Sequence, residues 1–387
     1  MRLWLALSLS MVLAACASTP ARAPLEHPNE FSFNDQLFAP PVERISADDV
    51  FALSPDMKRY LDTEIAAASL AKGPRQGLFQ ALYSRGQLKL DYDAEITRNA
   101  AEAFSAKSGN CLSLVILTAA FAKSIGQPVR YQTVYLDEAW SRSNDIDFLD
   151  EHVNVTLGAK RRIGQTGHLD ENELTIDFLP PHDLGSRRAR VIGEPTVVAM
   201  YMNNRGAEWL ARRQLDRAYW WTRAAIAQDP HYMPAYNTLG VIYKFHGNPE
   251  QARQVFEHIL AIEPENTVSM SNQVLVLNEL GRTADANALA ERLKKIKPYP
   301  PFHFYDLGMQ AMQQGNYAAA RSLFSREIER SAYYHESHFW LAIADYRLGD
   351  LRQARKQMAV AMALSTTNAD HALYAAKLER LKSGRGF

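Results

Sequence analysis

Small and apolar residues in the C-terminal half of the chain recur with a fixed spacing of 34 residues. Within each period, apolar positions at helical spacing flank one glycine, which predicts two helices joined by a turn. Gly240 and Ala252 would let two helices approach closely, and Pro264 would end the second one. The recurring positions are Gly247, Gly281, Gly315 and Gly349; Ala218, Ala252, Ala286, Ala320 and Ala354; and Pro230, Pro264 and Pro298. The pattern predicts an all-α array of stacked helical pairs.

A buried helix is predicted to begin at Cys111. Asn110 is a favourable N-cap, apolar residues lie around the whole helix, and Gly126 with Pro128 ends it. Cys111 therefore falls at the first helical position.

The segment upstream of this helix, residues 47–107, is also predicted to be helical. The stretch KGPRQG interrupts the helical pattern, and a further helix is expected to start near Asp93 and end at Gly109.

Two segments further along alternate between apolar and polar residues, as half-buried strands do. They are HVNVTLG, which starts at His152, and ELTIDFL, which starts at Glu173. A third strand is predicted at residues 129–136 from β-branched and aromatic content. Because His152 and Asp177 both lie on polar faces, their side chains can meet if the strands pair, beside the start of the Cys111 helix.

Cys111, His152 and Asp177 would then form a thiol–imidazole–carboxylate set. The unpaired amides at a helix start favour a thiolate and could stabilise an oxyanion. His152 would take the thiol proton and later donate it to the leaving group, while Asp177 would fix the imidazole tautomer. His168 and His182 are weaker alternative bases in loop-like sequence. The competing interpretation makes Cys111 a small buried hydrophobe.

The 34-residue period resembles the tetratricopeptide repeat (TPR) family, most clearly in MPAYNTLGVIYKFHGNPEQARQVFEHILAIEP at residues 233–264. Five copies are predicted at residues 199–368, followed by a capping helix and tail at 369–387. The resemblance implies a groove that binds a protein or peptide partner. Asn203 and Asn237 occupy the same position in consecutive copies and are candidate partner contacts, with ordinary surface polarity as the alternative.

The N-terminus has the features of an export signal. Arg2 precedes the apolar run LWLALSLSMVLAA, which is too short to span a bilayer. The run ends in LAAC, which resembles the lipobox of bacterial lipoproteins. This implies a signal peptide at residues 1–15, lipidation of Cys16, and an outer-membrane lipoprotein facing the periplasm, since Ala17 follows the cysteine. Residues 16–46 are expected to be the lipidated N-terminus and a flexible tether.

Composition narrows the possible partners. The 387 residues include 43 Lys and Arg and 43 Asp and Glu, so the formal net charge is zero. The chain therefore has no overall positive charge that would attract nucleic acid. Only two cysteines are present, and lipidation of Cys16 would leave Cys111 without a disulfide partner. The acidic stretch 137–151 is interpreted as a solvated loop or lid rather than a metal site, and no motif implies a cofactor.

Residues 80–182 resemble the transglutaminase-like, papain-related cysteine superfamily. The resemblance is carried by a Gly-x-Cys helix start, a small-residue helix, GQPVR at residues 126–130, a histidine at a strand start and a later aspartate. It implies Cys111, His152 and Asp177 as the catalytic residues. Asn154 stands where many members have an aromatic residue, and Phe178 stands where proline usually follows the aspartate.

The predicted architecture is an α+β transglutaminase-like/papain-like domain at residues 47–195 followed by an all-α TPR solenoid. The predicted function is an envelope-anchored thiol enzyme, a protease or amidase or an acyltransferase, whose repeats recruit a protein or peptide substrate. The alternative is a non-catalytic TPR adaptor lipoprotein with an inactive cysteine domain.

Overall fold

The computed structural model describes residues 32–83, 88, 90–93, 96–134, 140–143, 146–149, 151–158, 173–178 and 189–383. From Asn34 onward these residues belong to one compact unit. The predicted signal peptide, Cys16, His168 and His182 lie outside the described residues. Among the described helices, none combines the length and apolarity that crossing a membrane requires.

Helices dominate the segment before the sheet. Ser54 caps the first of them through its hydroxyl, which accepts from the Met57 amide. The helices are α1 (Pro55–Tyr60), which continues through one wide turn at Leu61–Ile65 into α2 (Ala66–Lys72), then α3 (Pro74–Tyr83), α4 (Ala100–Ala106) and α5 (Cys111–Ser124). Two short 3-10 turns, Asp35–Leu37 and Ala47–Asp49, precede them.

The helix expected to start near Asp93 starts at Ala100 instead. Asn99 and Glu102 cap each other's backbone amides there, so the helical path begins after Asn99. The preceding chain is extended: β1 (Asp91–Tyr92) pairs in parallel with β2 (Ser108–Gly109). The predicted start was therefore wrong, and the Asn99–Glu102 capping box was the sequence signal for the true one.

A four-stranded antiparallel sheet follows α5, in the order β7-β6-β3-β8. Its strands are β3 (Val129–Val134), β6 (His152–Leu157), β7 (Leu174–Ile176) and β8 (Ala189–Ile192). Every residue of β6 is buried, and α5 packs against this central strand. The alternation in HVNVTLG therefore does not divide the strand into a solvent-exposed face and a buried face.

The acidic stretch between β3 and β6 contains a β-hairpin rather than a solvated loop. Strand β4 (Trp140–Ser143) pairs antiparallel with β5 (Ile146–Leu149). Arg142 in this hairpin forms an ion pair with Asp306 (Nη1–Oδ1 2.8 Å) and lies 4.4 Å over the ring of Phe302. Trp140 packs beside the same aromatic cluster of the array. The hairpin therefore bridges the sheet and the repeats.

The predicted all-α repeat array is confirmed, with its helices arranged in consecutive pairs. The pairs are α6 (Glu194–Ala211) with α7 (Leu215–Gln228), α8 (Met233–Phe245) with α9 (Pro249–Ile262), α10 (Thr267–Glu279) with α11 (Thr283–Ile296), α12 (His303–Gln313) with α13 (Tyr317–Arg330), and α14 (His335–Arg347) with α15 (Leu351–Leu364). Helix α16 (Asn368–Lys382) packs on α15 at the C-terminal end.

The recurring small residues serve close packing within these pairs. A Cβ on Gly240 would lie 2.5 Å from the Phe256 ring, and a Cβ on Gly308, two repeats later, would lie 2.6 Å from the Phe324 ring. Ala252 and Ala320 are fully buried. The α8–α9 and α12–α13 pairs thus each close on an aromatic ring that fits only against a bare glycine backbone.

The turn of each later repeat depends on a left-handed backbone position. Gly247, Gly281, Gly315 and Gly349 all have positive φ, between 73° and 82°. Arg213 holds the equivalent position of the first repeat at φ 59°, which departs from the glycine pattern. The first copy therefore carries local backbone strain that the later copies avoid.

Replacing Gly281 with alanine should destabilise the array by about 1 kcal/mol, because a Cβ disfavours the left-handed conformation. The surrounding space is open, so no steric clash adds to this cost. Urea unfolding of the wild type and the variant measures the difference. An unchanged midpoint would contradict the proposed role of the glycine turn.

Residues 34–43, expected to belong to a flexible tether, are instead held against α7. Phe38 stacks on Tyr219 with ring centroids 3.8 Å apart. The Trp220 indole donates to the Ala39 carbonyl (2.6 Å), and Arg223 pairs with Asp35 (2.8 Å). A flexible tether can therefore extend no further than residue 33.

Candidate functional site

Cys111 is the first residue of α5 and is partly exposed. The Asn110 side chain caps this helix by accepting hydrogen bonds from the Ser113 amide (2.9 Å) and hydroxyl (2.8 Å). The Cys111 thiol lies 4.0 Å from the Glu151 carbonyl oxygen, just before β6. The helix start and the strand start are thereby brought to one place.

His152 and Asp177 meet as the strand pairing predicts. His152 is the first residue of β6 and only 2% exposed, and Asp177 follows the last residue of β7. Their Nε2 and Oδ1 atoms are 2.6 Å apart. The Cys111 side chain also acts on His152, raising its pKa. Since Nε2 is engaged by the carboxylate, Nδ1 is the ring nitrogen left for the thiol.

The environment of His152 favours its charged form. Burial opposes the charge, but the hydrogen bonds with Asp177 and Cys111 outweigh it and raise the pKa of His152 to about 9. The imidazole is therefore protonated at neutral pH and presents a positive charge to the thiol. A protonated imidazole beside a thiol is the pairing on which thiol-dependent acyl transfer relies.

Folding stability should fall as pH rises because of this histidine. Its folded pKa of about 9 exceeds the ordinary value of 6.5, so its contribution is complete below pH 6.5 and lost as pH rises through 9. Cys111→Ala removes the thiol, which would titrate over the same pH range. In that background, urea unfolding at pH 6 and pH 9.5 should show this decline, and adding His152→Gln should flatten the profile. Parallel profiles would contradict the shift.

The sequence did not identify two residues of this site, Asn154 and Glu151. Asn154 appeared only as a departure from the family pattern, yet its amide donates to the second carboxylate oxygen of Asp177 (3.5 Å). Glu151 faces the thiol with its backbone carbonyl while its own carboxyl is buried. Only the two-residue alternation that places Asn154 on the His152 face hinted at its position.

The two predicted partner contacts differ in their surroundings. Asn203 is only 7% exposed, and its side chain lies beside the buried Tyr232. Asn237 is partly exposed and accepts a hydrogen bond from Asn272 (3.0 Å). Asn237 is therefore the more accessible of the two, and both partner contacts stay predictions.

Within the described residues, no group of three or more His, Cys, Asp or Glu side chains is arranged to hold a metal ion. The acidic hairpin instead pairs Asp147 with Arg142 (2.7 Å).

Models of the tetratricopeptide repeat match residues 234–266 and residues 335–358. The chain carries tetratricopeptide repeats. Tetratricopeptide repeat protein 7B of Homo sapiens is 31% identical over 93 residues, which make up 24% of this chain and 11% of that protein. The similarity is therefore to a short run of repeats within a much longer protein.

Solved structures are also similar to part of the chain. Pseudomonas aeruginosa pilF shares 20% identity with a TM-score of 0.28, covering 48% of this chain and 84% of that chain. YrrB, described as a TPR protein with an unusual peptide-binding site, shares 20% identity with a TM-score of 0.25, covering 46% of this chain and 92% of that chain.

Proposed function

We propose that the chain is a thiol enzyme that acts on peptide or other amide bonds through an acyl-thioester. The observation that carries the proposal is the line of contacts from Cys111 through His152 to Asp177. A partly exposed thiol, a protonated imidazole and an orienting carboxylate are the parts that thiol-dependent acyl transfer needs.

In the first half of the reaction, the Cys111 thiolate attacks the substrate carbonyl carbon. The first amides of α5, including those of Cys111 and Leu112, have no intrahelical acceptor and can receive the oxyanion. The C–N bond then breaks, and the amine leaves with the proton that His152 donates. The acyl group remains on sulfur as a thioester.

In the second half, the now neutral His152 accepts a proton from an incoming water molecule. The resulting hydroxide attacks the thioester, the C–S bond breaks, and the product leaves as the carboxylic acid, which loses its proton to solvent, while the thiolate–imidazolium pair is restored. An amine in place of water would give transfer instead of hydrolysis. We favour hydrolysis, because the resemblance on Cys111, His152 and Asp177 spans many bacterial hydrolases.

The surrounding fold supports assigning residues 47–195 to a transglutaminase-like domain. A cysteine at the N-terminus of a buried helix packs on an antiparallel sheet, and the histidine and aspartate come from its adjacent strands. Under this assignment, Asp177 holds the imidazole orientation and Asn154 holds Asp177.

The repeats are proposed to recruit a protein or peptide substrate. Asn237 is partly exposed and supplies an amide side chain that can pair with a peptide backbone. The β4–β5 hairpin already contacts Phe302 and Asp306 of the array. Substrate held along the repeats would therefore lie close to a segment that leads directly into His152.

Anchoring at the outer membrane through Cys16 is part of the proposal and rests on the lipobox-like LAAC sequence. Labelling with radioactive palmitate in a bacterial host should mark the wild-type chain and fail in Cys16→Ser. Equal labelling of both chains would remove the anchor from the account.

The acyl-enzyme provides the test of the enzymatic proposal. The intact chain is mixed with bacterial envelope extract, quenched in acid and digested, and the Cys111 peptide is weighed by mass spectrometry. An added acyl mass that hydroxylamine removes is expected in the wild type. It should be absent in Cys111→Ala and strongly reduced in His152→Ala.

The second candidate function is a non-catalytic adaptor, which the repeats alone would support. It predicts no acyl mass on Cys111 and equal capture of the same partner proteins by the wild type and Cys111→Ala. That pair of results would replace the enzymatic proposal.

A further inference from the structure

Contacts from the first repeat of the array, helices α6 and α7, hold the loop that precedes α5, the helix that begins at Cys111. Thr97 donates its backbone amide to the Glu208 carboxylate of α6 (2.6 Å). Arg205, one turn earlier on α6, donates to the Thr97 carbonyl (3.3 Å) and pairs with Glu208 (3.2 Å). Both backbone groups of Thr97 are therefore fixed from the array side.

Thr97 passes this constraint to the start of α5. Its hydroxyl accepts a hydrogen bond from the Asn110 side-chain amide (2.9 Å). The other end of that amide caps α5 at Ser113, directly after Cys111 and Leu112. The orientation of the Asn110 cap, and with it the first turn that carries the thiol, thus depends on Glu208.

The histidine side of the site is held by the same repeat. Tyr232, which follows α7, donates its hydroxyl to the Glu151 carboxylate. Glu151 lies between β5 and His152, and its carbonyl oxygen faces the Cys111 thiol. Tyr232 is buried and also contacts Asn203 on α6.

Glu151 has few alternatives to this contact. Burial raises the pKa of its carboxyl, and the remaining charged groups that act on it are Arg190 of β8 and Glu263 at the end of α9. A buried carboxyl whose hydrogen bond is removed pays a desolvation cost and tends to move. Loss of the Tyr232 hydroxyl should therefore displace the backbone beside His152.

We propose that the first repeat is part of the active site, with Glu208 and Tyr232 as positioning residues for Cys111 and His152. This inference rests on the proposed thiol function and assigns the repeat a role besides substrate recruitment. It follows that residues distant in sequence set the spacing between the thiol and the imidazole. Glu208 lies 111 positions after Thr97, and Tyr232 lies 81 positions after Glu151.

The test is the pH profile of Cys111 alkylation by iodoacetamide in the full chain, followed on the Cys111 peptide by mass spectrometry. Tyr232→Phe should slow the reaction at pH 6.5 about fivefold, the effect of one hydrogen bond. The matched control is Tyr219→Phe, in the same repeat. It removes a hydroxyl that donates to Asp35 (2.6 Å). The control should stay within about twofold of the wild type.

Glu208 provides a second variant with its own rescue. Glu208→Ala should slow alkylation about fivefold, since Thr97 loses its acceptor. Glu208→Gln keeps an oxygen for the Thr97 amide and should restore most of the rate. Urea unfolding of each variant shows whether a rate change follows lost stability or altered geometry.

The outcomes separate this inference from the function on which it rests. If the alkylation rate of Cys111 depends on His152 but not on Tyr232 or Glu208, the positioning role alone is overturned. A wild-type thiol no more reactive at pH 6.5 than that of the unfolded chain would overturn both. Equal slowing in Tyr232→Phe and Tyr219→Phe would assign the effect to stability and also reject the positioning role.

Discussion

Alkylation of Cys111 by iodoacetamide at pH 6.5 is expected to slow by about 10- to 100-fold when His152 is replaced with alanine. An isolated thiol with an ordinary pKa of about 8.5 is only about 1% thiolate at this pH. The proposed function requires a larger reactive fraction in the folded chain, which the positive charge on His152 would supply. The lower intrinsic nucleophilicity of a stabilised thiolate offsets part of this gain.

His231→Ala is the matched control, because His231 has a side chain that is 77% exposed and lies near Asp229 rather than near the thiol. It should leave the alkylation rate unchanged. Equal rates in the wild type and His152→Ala, with both chains folded by circular dichroism, would show that the imidazole does not activate Cys111.

Gly240→Ala should destabilise the array by about 1–3 kcal/mol in the wild type, since the new Cβ would lie 2.5 Å from the Phe256 ring. Phe256→Ala alone should cost about 3–5 kcal/mol, because the ring is fully buried. In the Phe256→Ala background the clash is gone, and alanine is the better helix former by about 1 kcal/mol. The effect of Gly240→Ala should then vanish or change sign.

Urea unfolding of the four chains gives the double-mutant cycle directly. Gly308 and Phe324 provide an internal repetition of the same contact, with 2.6 Å to the ring. Additive costs in both cycles would mean that the helices do not close on these rings.

The repeat array was predictable because its packing is local and repeated. Gly247 and its equivalents mark turns, and Gly240 and Ala252 mark close contacts between helices adjacent in sequence. Arg213 shows the limit: it takes the same left-handed conformation without a glycine, so the first repeat is harder to recognise.

The candidate site was predictable only in its central contacts. Asn110 predicted the start of the thiol helix, and strand alternation brought His152 and Asp177 together. The placement of Glu151 against Tyr232, and of Trp140 against the array, depends on contacts between segments far apart in sequence. No local pattern encodes such contacts, so an acidic hairpin was mistaken for a solvated loop.

The most direct test of the account compares the alkylation rate of Cys111 in the folded chain and in the same chain unfolded in urea, both at pH 6.5. Site-specific mass spectrometry distinguishes Cys111 from Cys16. The account predicts that Cys111 in the folded chain reacts at least about tenfold faster, despite its partial burial, because His152 stabilises the thiolate. A folded thiol that reacts no faster than the unfolded one would contradict the claim that Cys111 is an activated nucleophile.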